Sequence, residues 1–197
     1  MELSLFFSLV AYACATTFSP GPNNVLLLSS TGQYGFKKCL PLMRGIWTGL
    51  ITVMLICGFG CSLLGELIPI IEKYARFVGA TYICYLGYKT LTRPMSSGDN
   101  AKSTPLTFVN GFLLQFLNVK ILMLGIAAYC SFILPTDSSA LPSLIFSITM
   151  AVCAACGNLI WATVGSLLLP IYQKHYRIFN IVMALLLFWC VYKVLFV

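Results

Sequence analysis

The chain has 197 residues, 59% of them apolar and only 9% charged. A water-soluble domain carries about 25% charged residues, so a water-facing globular fold is excluded. Twelve Lys+Arg against five Asp+Glu give a net charge of +7, but the cations occur in ones and twos. That spread argues against nucleic acid as a partner and for a membrane topology signal.

No Asp, Glu, Lys or Arg lies between Glu2 and Lys37, Arg44 and Glu66, or Asp137 and Lys174. Each gap exceeds the roughly 20 residues that cross a bilayer. Ile68 to Lys89 carries Arg76 near one end, Thr104 to Pro135 carries Lys120 alone, and Ile178 to Val197 carries only Lys193. The pattern predicts an all-α membrane protein of six transmembrane helices, at about 4–31, 41–65, 69–91, 105–134, 142–169 and 177–196. They form a single integral domain over 1–197 with linkers too short to hold anything soluble. Leu3 to Ala15 resembles a secretory leader ending in a small-residue site at Ala13-Cys14-Ala15. Glu2 and the lack of an early Lys or Arg predict instead that it stays as the first span.

Basic loops stay cytoplasmic. Loops one, three and five hold Lys37, Lys38 and Arg44; Lys89, Arg93 and Lys102; and Lys174 and Arg177. The other side holds Lys73, Arg76 and Lys193. Eight against three places the odd loops inside and both termini in the periplasm. Pro41, Pro105 and Pro142 suit first helical turns, whereas Pro135 and Pro170 are placed where helices should stop.

Pro20-Gly21-Pro22 fits neither role, because it lies inside the first apolar segment. Two prolines remove two amide donors and strand carbonyls about a turn earlier, so the helix must break there. Within a bilayer such backbone has to face protein or a water-filled cavity. Asn23 and Asn24 follow at the start of the second half-helix, whose N-terminus carries partial positive charge. This is chemistry for holding a carboxylate, and transporters use broken helices in this way. A simple kink without a ligand is the plainer alternative.

A second polar interruption runs from Gln115 through Asn118 to Lys120. An ammonium near mid-span costs about 3 kcal/mol on insertion scales, so Lys120 is expected to face the bundle interior. There, with Asn118, it would meet a substrate carboxylate or the stranded carbonyls of the first helix. Snorkelling to the surface, or a purely structural tie, is the competing role. Asn158 in the fifth span is a further expected contributor to the path. Gly45, Gly49, Gly58, Gly60, Gly157 and Gly165 read as helix-packing positions, and Trp47 and Trp161 as core residues with a possible place on a cavity wall.

The two interruptions occupy the same position in each set of three helices. Ala80 to Leu91 can also be laid on Ala184 to Leu195, so that Tyr88-Lys89 meets Tyr192-Lys193. This predicts two repeats, about 1–95 and 104–197, inverted relative to each other because three is odd, with the site between them.

Thr17-Phe18-Ser19-Pro20-Gly21-Pro22-Asn23-Asn24 resembles the first-helix signature of the lysine-exporter (LysE/RhtB) family of bacterial inner-membrane amino-acid exporters. The similarity continues through Gly32 to Gly49, Gln115 to Ile121, Gly157 to Ala162 and Asn180 to Leu187. Many members read Asn-Pro-Lys in the fourth span. Here Val119 replaces that proline, which is similar to the cysteine/O-acetylserine efflux branch. The resemblance implies efflux of a small neutral amino acid, driven by an ion gradient with the proton as expected coupling ion. A homoserine/threonine-type exporter is the alternative.

The residues add their own test of substrate charge. Selecting lysine or arginine would require a carboxylate in the path, and none of Glu2, Glu66, Glu72, Asp99 and Asp137 falls well inside a span. Neutral zwitterions are therefore expected, and Lys120 is the remaining group for ion coupling. His175 is the lone histidine, in a basic loop. With one loop histidine and no intramembrane acid, neither a catalytic triad nor a metal hydrolase can be assembled, so no enzyme, metal or cofactor is expected. Of nine cysteines, Cys153-Ala154-Ala155-Cys156 alone suggests redox work as a membrane thiol–disulfide carrier. The others sit singly in apolar stretches or, like Cys57 with Cys61, read as packing. The expected partners are a small amino acid, a coupling ion and membrane lipid; the oligomeric state is not fixed by sequence.

Overall fold

The structure, a computed structural model, describes residues 3–64, 68–92, 105–134 and 139–196. Apart from a short 3₁₀ turn at Lys37–Cys39, its regular elements are α-helices: α1 (Leu3–Phe18), α2 (Pro22–Tyr34), α3 (Leu40–Leu64), α4 (Ile68–Leu91), α5 (Phe108–Leu117), α6 (Val119–Phe132), α7 (Ala140–Leu167) and α8 (Leu169–Phe196). The first expected span is α1 and α2 bent by 52°, and the fourth is α5 and α6 bent by 56°. Gly21, extended at φ −158° and ψ 175°, separates the first pair. Asn118, at φ −89° and ψ 93°, separates the second.

Among the described residues, three helical stretches, Lys37–Gly60, α7 and α8, are long and apolar enough to cross a membrane, and counting each bent pair as one span raises the number to five. The expected third span, α4, does not join them. Glu72, Lys73, Arg76, Lys89 and the tyrosines at 74, 82, 85 and 88 make it too polar by composition. It packs in the bundle all the same, against α8 and α5.

One boundary departs from expectation. α7 stops at Leu167, just ahead of Pro170 as expected, but Pro170 itself stands in the first turn of a further helix, α8, where a missing N–H is harmless. The supposed fifth loop is therefore largely helical, and α8 is instead kinked at His175, whose φ −132° and ψ 39° leave the helical region.

The packing is reciprocal. Both halves of the first bent pair lie on α7, both halves of the second lie on α3, α3 packs on α7, and α4 packs on α8. Small residues permit these approaches. A Cβ at Gly45 on α3 would run into the Phe108 carbonyl of α5, and one at Gly165 on α7 would meet the Leu28 carbonyl of α2.

Two apolar clusters fill the interior. One joins Leu26, Leu27, Leu42, Ile46, Ile83 and Leu187, and the other joins Leu9, Leu50, Met54, Leu124, Phe146 and Met150. They meet along α3, one turn apart at Ile46 and Leu50. On α7 the usual polarity is reversed: Ile148 and Val152 are 53% and 55% exposed, while Ser147 and Asn158 are 1% and 3% exposed. An apolar exterior around a polar interior is what lipid as the surrounding solvent demands.

Candidate functional site

Breaking a helix with two prolines leaves carbonyls without amide partners, and each carbonyl of Thr17, Phe18 and Ser19 is met by a side chain from elsewhere. Asn24 Nδ2 donates to Thr17 O at 2.8 Å and to Ser19 O at 2.9 Å. Trp161 Nε1, reaching across from α7, donates to Phe18 O at 3.2 Å. Lys120 Nζ donates to Ser19 O at 3.1 Å and to Ser19 Oγ at 2.7 Å. Ser19 Oγ in turn donates to Thr16 O at 2.7 Å. The break is thus held by side chains, Asn24 buried and Ser19, Lys120 and Trp161 half-buried, so its irregular backbone is satisfied by protein groups, as membrane depth requires.

The first residues of α2 and α6 are tied together. Asn23 and Gln115 exchange amide hydrogen bonds, Asn23 Nδ2 to Gln115 Oε1 at 2.7 Å and Gln115 Nε2 to Asn23 Oδ1 at 3.1 Å. Asn118 Nδ2 also donates to Asn23 Oδ1, at 3.2 Å. Two half-helix N-termini, each with unsatisfied N–H groups and partial positive charge, consequently meet at one place. Lys120 stands in the first turn of α6 and adds a full charge.

Around this junction lie two cavities. The inner one, about 20 Å³, is lined among others by Thr17, Asn23, Asn24, Asn118, Lys120 and Asn158; it is large enough for one water molecule. Two atoms of its lining residues, Asn118 Oδ1 and Asn158 Nδ2, are buried without a hydrogen-bond partner. One offers an acceptor and the other a donor, and burying either unsatisfied costs about 1–3 kcal/mol. The outer cavity, about 590 Å³, lies within the size range of small-ligand pockets. Its walls include Arg76, Lys120, Met123, Trp189, Cys190 and Lys193. Gly21, Pro22 and Lys120 belong to the lining of both.

The residues singled out by sequence, Pro20, Gly21, Pro22, Asn23, Asn24, Asn118, Lys120 and Asn158, therefore all border one or both cavities. Ser19, Gln115 and Trp161 are additions. Gln115 lies in the interruption already recognised, one helical turn before Asn118, and that spacing was its available signal. Trp161, expected as a core or cavity-wall residue, instead donates to a carbonyl of the first break, a role that depends on α7 meeting the end of α1. Glu2, Glu66, Asp99 and Asp137 lie outside the described residues. Cys153 and Cys156 of the C-x-x-C pair are both free thiols, and Cys156 is exposed.

The family model for LysE-type translocators matches residues 14–195 of this chain. Among curated proteins, the cysteine/O-acetylserine efflux protein of Salmonella typhimurium (strain LT2) is 35% identical over 196 residues, covering 100% of this chain and 98% of its own length. The protein of the same name from Escherichia coli (strain K12) is 33% identical, with 100% of both chains covered. No solved structure matches the chain.

Proposed function

Since the chain belongs to the LysE-type translocator family, we propose that it is a multi-pass inner-membrane exporter of small neutral amino acids, cysteine and O-acetylserine foremost. Lys120 carries this reading. It is a cation placed on the stranded carbonyl of a broken helix, bordering both a ligand-sized cavity and a smaller one with an unpaired donor and acceptor.

In the proposed cycle the substrate carboxylate exchanges with Ser19 as the partner of the Lys120 ammonium, beside the converging N-termini of α2 and α6. The substrate amino group takes carbonyl and amide acceptors at the junction, Asn118 Oδ1 among them. Asn23, Asn24 and Asn158 complete the lining. Export is driven by an ion gradient, with Lys120 the ionisable group placed to sense it.

The reciprocal packing of each bent pair on the straight helix of the other half supports two inverted triplets, in which α4 serves as a sixth span despite its charges. Its Lys73 and Lys89 lie toward its ends and can reach the interface, while Arg76 lines the outer cavity. The cation count on the loops supports periplasmic termini.

The test is efflux of labelled cysteine, O-acetylserine, homoserine and lysine from vesicles loaded with each, with and without a proton gradient. Cysteine and O-acetylserine should leave faster than lysine by at least tenfold, and the gradient should accelerate them. Equal rates for lysine would overturn the assignment of substrate class.

A further inference from the structure

The outer cavity carries more positive charge than a zwitterion needs. Lys120 and Lys193 both line it, and no Asp or Glu is among the lining residues described. Among the described residues, Lys120 donates hydrogen bonds only to the neutral oxygens of Ser19. Lys193 Nζ lies 5.8 Å from the centroid of the Trp189 ring, a contact that orients the ammonium without neutralising it. One α-carboxylate compensates one of the two ammonium groups, and the α-ammonium of a neutral amino acid adds to the excess. A ligand with a second anionic group on its side chain would give each ammonium an anionic partner and lower the excess by one charge.

We propose that this cavity also binds, and the protein also exports, small amino acids whose side chain bears a negative charge, the α-carboxylate on Lys120 and the side-chain anion on Lys193. The volume of about 590 Å³ leaves ample room for both groups. The energetics agree with the sequence. No acid lies well inside a span to carry a proton, whereas an inside-negative membrane potential drives a net anion outward without any titrating group. The proposal rests on the assignment of Lys120 as the carboxylate partner.

The experiment uses the full chain reconstituted in liposomes loaded with labelled L-cysteate or L-cysteine, a pair sharing a backbone and differing in side-chain charge. An inside-negative potential is imposed by potassium and valinomycin. L-Cysteate should leave at least fivefold faster with the potential than without it, and Lys193→Gln should lower the ratio of cysteate to cysteine rates at least fivefold. Lys193→Arg should restore that ratio. Cysteate efflux no faster than from protein-free liposomes, or an unchanged ratio in Lys193→Gln, would overturn the proposal. Those outcomes are separable from failure of the underlying site, which would show as undiminished cysteine efflux in Lys120→Ala.

Discussion

The two helix breaks reach similar bends, 52° and 56°, by different means. The first is written into covalent structure: Pro20 and Pro22 lack the N–H groups a continuous helix requires, so it persists whatever surrounds it. The second contains no proline. It depends on Asn118 holding an extended conformation while its side chain donates to Asn23. One break is therefore imposed by sequence and the other by a partner, and the partner lies on the first.

The largest expected effect tests what joins the two. Lys120→Ala removes the cation from Ser19, and cysteine efflux should fall at least tenfold while the amount of protein in the membrane is unchanged. Asn23→Ala comes next, because it strands Gln115 Oε1 and the Asn118 amide together. It should lower stability by about 1–3 kcal/mol, seen as a lower unfolding temperature in detergent. Asn118→Ala should cost less, and combining it with Asn23→Ala should cost less than the sum of the two, because they share a bond.

Val119→Pro sharpens the contrast by giving the second break the covalent rigidity of the first. Position 119 is the first residue of α6, where no intrahelical N–H bond is lost, and Asn118 already holds an extended conformation compatible with a following proline. The variant should unfold at the same temperature or slightly higher, a gain of up to about 1 kcal/mol, and should keep efflux within about twofold. Folded protein without efflux would mean that the second break straightens during transport. Smaller again is Trp161→Phe, which frees one carbonyl at the first break for about 1 kcal/mol. At the bottom of the scale, Cys153→Ala with Cys156→Ala should leave efflux unchanged, and a loss would revive the thiol–disulfide reading.

The same contrast explains what could be read from sequence. Pro20-Gly21-Pro22 announces its break because proline acts locally, and Lys120 announces its inward orientation because charge in hydrocarbon has few other places to go. The Asn23–Gln115 pair could not be anticipated, since its members are 92 residues apart and their meeting depends on how two bent pairs pack. Pro170 was half legible for a related reason. A proline is compatible with the end of one helix and with the start of the next, and here α7 stops ahead of it while α8 starts around it. The charges of α4 were visible throughout, but composition alone does not say whether such a helix crosses a bilayer or lies against one.

One feature of the junction bears on how quickly a passage could open. A Cβ on Gly21 would come within 3.0 Å of Lys120 Nζ and 3.1 Å of its Cδ, so the lysine tail lies flat against bare backbone in the wall that the small and large cavities share. Side chains reorient in picoseconds to nanoseconds, whereas shifting packed helices takes microseconds or longer. A narrow connection can therefore appear each time that tail lifts, long before any helix has moved.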